Sequence, residues 1–122
     1  MIKFVYVVRR RPDISSEAFR SYWLEKHGPL VRSYAKALGA KRYVQSHTLD
    51  VPFNHIAQQA RGTKPPYDGL TELWWDSIED LAKASQTPEG QKANQALAED
   101  EANFCNLREC SVFFTEEHVI FD

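Results

Sequence analysis

The chain has 122 residues and a formal net charge of −2, and 43% of its residues are hydrophobic. This length suits a single domain over residues 1–122. Without a basic excess, nucleic acid and anionic membranes are poor partners, and no apolar run is long enough to span a bilayer. Met1 leads directly into a strand pattern, and the two cysteines fit no metal-ligand spacing. We therefore expect a cytoplasmic protein with reduced thiols, no metal and no membrane partner.

Local signals place the elements along the chain. β-branched and aromatic residues mark the strands, Ser15 and Thr87 are typical N-caps, and Gly39 is a typical C-cap. The predicted elements, in order, are a strand over 2–9, a helix over 15–26, a helix over 29–38, strands over 41–49 and 69–75, a short helix from Ser77, a longer helix from Thr87 toward Phe104, and a strand over 110–115.

The order strand, helix, strand, strand, helix, strand predicts an α+β fold of the ferredoxin-like β-α-β-β-α-β type, with an antiparallel sheet and the helices on one face. The first and last predicted strands carry apolar residues on both faces, so the face without helices needs a cover. A homodimer whose two sheets close into a barrel is the economical cover. A monomer whose tail and long connection fold over the sheet is the alternative.

The connection over residues 50–68 is far longer than a hairpin needs. It contains Phe53, His55, Ile56 and Tyr67 without a clear periodicity, which predicts an ordered covering loop. Its apolar side chains would pack on a partner or at the mouth of a pocket. His55 and Tyr67 are predicted to contact a substrate there, with Tyr67 as a hydrogen-bond donor to a developing enolate.

A histidine stands where the first helical pattern is interrupted. Pro29 has no N–H to give to the carbonyl of Glu25, so the helix must kink or restart there. His27 would lie at the C-terminal end of the first piece, where the helix dipole raises its proton affinity. Beside the aromatic Trp23, it is a candidate wall of a ligand cavity and a candidate catalytic residue. The alternative, which residue type alone favours, is a solvent-facing cap.

Polar residues also occur within the second and third predicted strands. Alternation puts Gln45 and His47 on one face, and a polar row suits a cavity on the side away from the helices better than a helix-packed core. Glu72 and Trp74 share a face of the third strand, and we place them on that cavity side. His47 and Glu72 are thus candidate catalytic residues and Trp74 a candidate substrate contact. The alternative is an ordinary cross-strand pair.

The last helix carries an acid on its apolar stripe. Ala93, Leu97, Asp100 and Phe104 follow one another at helical spacing. A buried acid needs a partner or a wet cavity, so Asp100 is a candidate catalytic residue that orients or charge-stabilises a histidine, with Phe104 a candidate substrate contact. A slight rotation of the helix would instead leave Asp100 at the boundary with water.

The segment Trp23-Leu24-Glu25-Lys26-His27-Gly28-Pro29-Leu30 resembles the W-x-x-x-H-G-P-L segment of the EthD-like family. The resemblance extends over nearly the whole chain and includes the stretches 43–47, 72–77, 100–104 and 114–117. Asn106 departs from it, since an acid is expected near that position in many relatives. The family belongs to the dimeric α+β barrel class and is named after a component of an ether-degradation gene cluster. Relatives in that class include cofactor-free monooxygenases, isomerases, cyclases, decarboxylases and haem proteins.

The resemblance and the residues together predict a small catabolic protein that binds a small apolar or aromatic carbonyl compound. The chain has no Gly-rich phosphate loop, so we expect no nucleotide and no flavin, and overall no cofactor. The four histidines, His118 included, leave haem ligation open. General acid–base catalysis by His and acid side chains is the predicted chemistry, of isomerase, cyclase, decarboxylase or monooxygenase type. The alternative is a non-catalytic ligand-binding or accessory protein that supports an ether- or aromatic-degrading oxygenase.

Overall fold

The sheet has the topology that the order of elements predicts. The computed structural model describes residues 1–122. Its four strands form one antiparallel sheet in the order β2-β3-β1-β4, so the ferredoxin-like prediction is confirmed. The strands are β1 (Ile2–Val8), β2 (Arg42–His47), β3 (Gly69–Trp75) and β4 (Ser111–Glu116).

The helices begin and end at the predicted signals. The Ser15 and Thr87 side chains accept hydrogen bonds from the N–H groups of Ala18 and Gly90, and Gly39 ends a helix with φ 70°. The helices are α1 (Ser16–Tyr22), α2 (Gly28–Leu38), α3 (Pro52–Arg61), α4 (Ile78–Ser85) and α5 (Pro88–Glu101), with a short 3₁₀ turn at Leu107–Glu109. None of them has the length and apolarity that crossing a bilayer requires.

The interruption between α1 and α2 is a π-helical turn, Trp23–His27. The N–H of Gly28 bonds to the carbonyl of Trp23, five residues back. Pro29 cannot donate to the carbonyl of Glu25, and the wider turn accommodates this missing bond while the chain stays helical. The chain therefore passes from α1 to α2 without a break, and the turn fixes the direction of His27.

The connection over residues 50–68, predicted as an ordered covering loop, is helical in its first half. Pro52 stands in the first turn of α3, and Gly62 follows its last residue with φ 66°. Phe53 and Ile56 are largely exposed, and no residue of α3 is buried. Pro52 and Gly62 are the start and stop signals that mark this helix in the sequence.

The two faces of the sheet differ in what covers them. The face toward the helices carries Phe4, Tyr6, Leu73 and Trp75, which pack against residues of α1, α2 and α5 in two buried clusters. The opposite face has no helix. Because strand residues alternate, it carries Val5, Val7, Leu70, Glu72, Trp74 and Phe113.

Gly69 allows helix and sheet to approach closely at one end of the π turn. A Cβ at this position would lie 2.5 Å from ring carbons of Trp23 and 2.7 Å from the carbonyl oxygen of Ser46. We expect Gly69→Ala to lower the free energy of unfolding by about 1–3 kcal/mol, as overpacking does. Urea unfolding followed by circular dichroism measures this change.

Gly28→Ala is the matched control for Gly69→Ala. A Cβ at Gly28 would meet only ordinary contacts, the nearest at 3.4 Å, and this helical position has ordinary right-handed dihedral angles. Gly28→Ala should leave the stability unchanged or raise it by up to about 1 kcal/mol. Equal losses in both variants would contradict the role given to Gly69.

Candidate functional site

A largely apolar cavity lies between the helix-facing side of the sheet and the helices. Its volume is about 510 Å³, and 17 of its 23 lining residues are hydrophobic, which is the character of a small-molecule site. No lysine or arginine lines it. Val112 and Phe114, which are about half exposed on the edge strand β4, line it on one side. Its buried walls include Tyr6, Leu73 and Trp75 from the strands and Val31, Leu97 and Phe104 from the helical side.

His27 is a polar member of this apolar wall. The π turn directs its ring inward, where it is 5% exposed and lies 5.0 Å from the ring centre of Phe104. Burial lowers the pKa of His27, although the neighbouring Asp100 opposes this shift. The solvent-facing alternative and the raised proton affinity expected at a helix end are both wrong, because the ring is buried and the π turn continues the helix, so no helix ends at His27.

Asp100 fixes the orientation of His27. Its Oδ2 lies 2.8 Å from His27 Nδ1, and the Tyr22 hydroxyl donates to its Oδ1 at 2.6 Å. Burial favours the neutral acid, but the hydrogen bonds from Tyr22, His27 and Asn103 outweigh it and hold the pKa of Asp100 below its ordinary value. An ionised carboxylate only accepts hydrogen bonds, so His27 carries its proton on Nδ1 and leaves Nε2 free to accept one.

Glu101 faces the other side of the same imidazole. Its Oε2 lies 3.9 Å from His27 Nε2, and it lines the cavity. Burial raises the pKa of Glu101 to about 7; the Tyr6 hydroxyl opposes this shift, and the negative charges of Asp100 and Cys110 add to it. The separation of 3.9 Å is too long for a direct hydrogen bond, and a polar atom of a bound molecule can bridge it.

The geometry therefore brings together two adjacent acids with different protonation around one histidine. Asp100 stays ionised and orients the ring, whereas Glu101 exchanges its proton near neutral pH. Titratable groups whose environments push their pKa values apart are the usual arrangement for acid–base catalysis. Phe104, which is almost completely buried, packs on both His27 and Tyr22 and closes this end of the cavity.

His47 lies on the helix side of the sheet. It was expected on the opposite side, where the cavity was predicted. Its ring stacks on Trp23 at a centroid distance of 4.3 Å, and its Nε2 lies 2.7 Å from Gln45 Oε1. Gln45 in turn donates to the carbonyl of Trp23. This polar row supports the π turn from β2, and it borders a groove beside α2 instead of the main cavity. The expectation failed because it assumed a purely apolar surface beneath the helices.

Glu72 and Trp74 lie on the helix-free face, as predicted, but the cavity lies on the opposite face, so neither residue borders it. Glu72 forms an ion pair of 2.8 Å with Lys3, and the indole N–H of Trp74 donates to Glu117. The cavity lies on the other side of β3, which presents Leu73 and Trp75 to it. The ion pair with Lys3 lies diagonally across β3 and β1, the two central strands, and not at the sheet edge that the alternative assumed.

The two candidates from the long connection lie away from the cavity. His55 is exposed on α3. The Arg9 guanidinium carbon lies 4.1 Å from the centre of the Tyr67 ring. The Tyr67 hydroxyl accepts a hydrogen bond from Lys64. Neither residue lines the cavity. Phe53, His55 and Tyr67 therefore do not form the pocket mouth that was expected of this segment.

Glu101 is the site residue that the sequence reasoning missed. The stripe of Ala93, Leu97 and Phe104 also contains position 101, which follows Leu97 by four residues and precedes Phe104 by three. Two consecutive acids at the end of an apolar stripe are the signal that would have found it. Asp100 and Glu101 share the stripe, since both approach the same histidine from α5.

An EthD domain matches residues 11–108, most of the chain. The chain belongs to the EthD domain family. No curated protein matches this EthD-domain chain in sequence.

Three solved structures share the fold of this EthD-domain protein. An EthD family protein of Bacillus halodurans is 21% identical, with a TM-score of 0.65 over 97% of this chain and 99% of that chain. A dimeric ferredoxin-like protein of unknown function from Thermobifida fusca is 11% identical, with a TM-score of 0.58 over 93% and 88%. A mutant of SnoaB, a cofactor-independent oxygenase from Streptomyces nogalater, is 11% identical, with a TM-score of 0.56 over 99% and 97%.

The raised pKa of Glu101 predicts how stability depends on pH. A buried carboxyl whose folded pKa exceeds its unfolded value binds more protons in the folded state, so it lowers stability as the pH rises from about 4.5 to 7. Ionisation of Glu101 should lower the free energy of unfolding of the wild type by up to about 3 kcal/mol between about pH 4 and pH 8. Glu101→Gln should abolish this loss. Urea unfolding at both pH values measures it.

Glu99→Gln is the control for this pH dependence. Glu99 is exposed on the same helix, so its replacement should leave the pH dependence as in the wild type. The buried His27 contributes the opposite slope in both proteins, because its folded pKa is lowered. The comparison between variants therefore isolates Glu101. An unchanged slope in Glu101→Gln would show that this carboxyl is ionised like an exposed one.

Proposed function

We propose that this EthD-domain protein is a cofactor-independent enzyme that moves a proton on a neutral aromatic or apolar carbonyl compound. The observation that carries the proposal is the placement of His27 Nε2 and Glu101 Oε2, 3.9 Å apart, at the wall of an apolar cavity. A general base and acid must lie within hydrogen-bond reach of the same reacting group. This pair meets that requirement for a substrate atom that lies between the two side chains.

The cavity supports the proposed class of substrate. Its volume of about 510 Å³ is in the range of drug-sized ligand sites, and its hydrophobic walls favour aromatic or aliphatic rings. Because no lysine or arginine lines it, a carboxylate or phosphate bound there would be buried without a counter-charge. Neutral molecules avoid this cost.

The residues divide the chemistry among them. Ionised Glu101 takes a proton from an acidic C–H or O–H group, and His27 Nε2 receives or returns a proton on the same face. Asp100 keeps the imidazole in its tautomer and stabilises the imidazolium when it forms. The Tyr6 hydroxyl, whose pKa burial and Glu101 raise, stays protonated and can donate to the developing enolate.

Proton removal from a neutral carbonyl compound is a step that isomerisation, cyclisation and cofactor-free oxygenation can share. The fold likeness to SnoaB, a cofactor-independent oxygenase, supports the oxygenase version of this proposal. The rival proposal is a ligand-binding or accessory protein of a catabolic oxygenase, which the apolar walls alone would also suit.

Hydrogen–deuterium exchange on a bicyclic ketone tests the enzyme directly. In D₂O, the wild type should speed exchange of the acidic C–H of 2-tetralone above the buffer rate, as NMR detects. His27→Ala and Glu101→Gln should each slow the catalysed exchange by at least about 10²-fold, because each removes a proton-transfer group. Parallel measurement of oxygen uptake distinguishes an oxygenase from a proton-transfer enzyme.

His55→Ala is the matched control for this exchange. It removes a histidine that is exposed on α3 and distant from the cavity wall, so its rate should equal that of the wild type. Binding of 2-tetralone without any catalysed exchange, and with equal affinity in His27→Ala, would favour the ligand-binding alternative. Exchange that survives in His27→Ala and Glu101→Gln would refute the assigned roles.

We also propose that the protein works as a homodimer whose helix-free sheet faces pack together. Val7, Leu70 and Phe113 give this face an apolar character, and Phe113 is 46% exposed in the single chain. The fold is shared with a dimeric ferredoxin-like protein, which supports the proposal. A second copy would cover these side chains without any further element of the chain.

Replacement of Phe113 by glutamate tests the dimer. A charge on the packed face should shift the molar mass in solution from dimer to monomer, as light scattering after size-exclusion chromatography measures. Ile78→Glu is the control, because Ile78 is 50% exposed in α4, outside the sheet. A wild type that is monomeric at micromolar concentration, or dimers that Phe113→Glu leaves intact, would overturn the arrangement.

A further inference from the structure

One tyrosine of the cavity wall has a hydroxyl that only accepts a hydrogen bond within the chain. Tyr43 belongs to β2, and its partly buried ring packs against the core cluster formed by α2, α5 and β3. It lines both the cavity and the groove beside α2. Its hydroxyl oxygen accepts from Gln45 Nε2 at 2.7 Å. The proton transfer between His27 and Glu101 does not involve this side chain.

Gln45 determines which way the Tyr43 hydrogen points. Gln45 Nε2 lies 2.8 Å from the carbonyl oxygen of Trp23, which can only accept, so the amide must present its nitrogen there. The second hydrogen of this nitrogen goes to the Tyr43 oxygen. Gln45 Oε1 lies 2.7 Å from His47 Nε2. Because an amide nitrogen does not accept hydrogen bonds, the Tyr43 hydrogen must point away from Gln45.

The side of the hydroxyl that Gln45 leaves free is the side of the cavity. Gln45 and His47 border the groove but do not line the cavity, so the accepted hydrogen bond occupies the groove side of the Tyr43 oxygen. Burial raises the pKa of Tyr43 to about 12 against the hydrogen bond from Gln45, and the negative charge of Glu101 adds to the shift. The hydroxyl is therefore protonated at neutral pH and within electrostatic reach of Glu101.

Tyr6, the other tyrosine of the cavity, differs in this respect. The hydrogen bond from the Tyr6 hydroxyl opposes the raised pKa of Glu101, so Tyr6 donates to this carboxylate when it is ionised. Ionised Glu101 is the form that acts as a base. In that form Tyr6 is engaged, and Tyr43 is the tyrosine whose hydrogen remains available to a bound molecule. A buried donor without an acceptor is costly, and a ligand oxygen would remove this cost.

We propose that the Tyr43 hydroxyl donates a hydrogen bond to the carbonyl oxygen of the bound compound and stabilises the oxyanion that forms there. This role rests on the proton transfer proposed above. Glu101 takes the proton of the acidic C–H group, and the electron pair of the broken bond forms a C=C bond. The π electrons of the carbonyl group move to its oxygen, which then carries the negative charge opposite Tyr43. Protonation of Glu101 releases Tyr6, which can then donate to the same oxygen.

The role of Tyr43 narrows the class of substrate. The carbonyl oxygen lies toward β2, where Tyr43 donates, and the acidic C–H group lies toward α5, where Glu101 accepts the proton. Oxygen and acidic carbon must therefore be held by adjacent carbons of one molecule. A cyclic ketone with a C–H group beside its carbonyl, on an apolar ring that the hydrophobic walls can cover, meets this requirement.

Infrared spectroscopy of bound 2-tetralone, labelled with ¹³C at the carbonyl, tests the contact without requiring turnover. In the wild type, the C=O stretch should lie at lower frequency than in an apolar solvent, because a hydrogen-bond donor weakens the bond. In Tyr43→Phe, the stretch should return toward the value in the apolar solvent, and Kd should rise by about tenfold. Tyr34→Phe is the matched control, since Tyr34 lies on α2 and does not line the cavity.

Kinetics of the catalysed deuterium exchange distinguish stabilisation of the oxyanion from simple binding. Tyr43→Phe should lower kcat by about 10²-fold, as the loss of an oxyanion donor does, whereas KM should rise by no more than about tenfold. Tyr34→Phe should keep both constants of the wild type. Circular dichroism verifies that the variants are folded. If Tyr43→Phe is not, nuclear Overhauser effects in the wild type between the Tyr43 ring and the hydrogens beside the ligand carbonyl decide the contact.

The outcomes separate the role of Tyr43 from the proton transfer itself. A Tyr43-dependent stretch without any catalysed exchange would confirm the contact and refute the enzyme. Exchange that requires His27 and Glu101, with a stretch and a kcat that Tyr43→Phe leaves unchanged, would refute the contact and retain the enzyme. Wild-type protein that does not bind 2-tetralone at millimolar concentration would overturn the role of Tyr43 as well.

Discussion

The contact between His27 and Asp100 is the interaction on which the site depends. It joins the π turn that follows α1 to the end of α5, two segments 73 residues apart in the chain. A buried imidazole without this carboxylate would lose its fixed tautomer, and a half-buried carboxylate without the imidazole and Tyr22 would lose the hydrogen bonds that keep it ionised. Each partner therefore offsets the cost of burying the other. Burial raises the pKa of Glu101, and the charge of Asp100 adds to this shift.

Local signals in the sequence predict most of the fold, and the residues show why. Ser15, Thr87 and Gly39 act through one or two hydrogen bonds or one dihedral angle, so their effect is independent of distant residues. The strands are predicted equally well because their β-branched and aromatic residues are concentrated. The helix over 52–61 was missed although Phe53, Ile56, Ala57 and Ala60 follow one another at helical spacing between Pro52 and Gly62.

The sequence predicts only those site residues that stand out from their own neighbours in the chain. His27 and Asp100 each stand out as a polar group on an apolar pattern, and they do meet in the structure. The face of the sheet that holds the cavity could not be read in the same way, because strand alternation separates two faces without saying which one meets the helices. His47 was therefore placed on the wrong face, and the cavity was expected on the helix-free face that carries Glu72 and Trp74. Their cross-strand partners were decided by long-range packing.

The π-helical turn has a consequence for how such a site can change. A π turn contains one residue more than the α-helical turn it replaces, so its presence is a matter of chain length as much as of composition. Loss of one residue between Trp23 and Gly28 would restore regular α-helical hydrogen bonding there and remove the wider turn that directs the His27 ring. The sheet, the caps and the second helix would all persist, yet the imidazole would leave the cavity wall. In this protein, the inward position of the histidine thus depends on the length of one helical turn as well as on the residue itself.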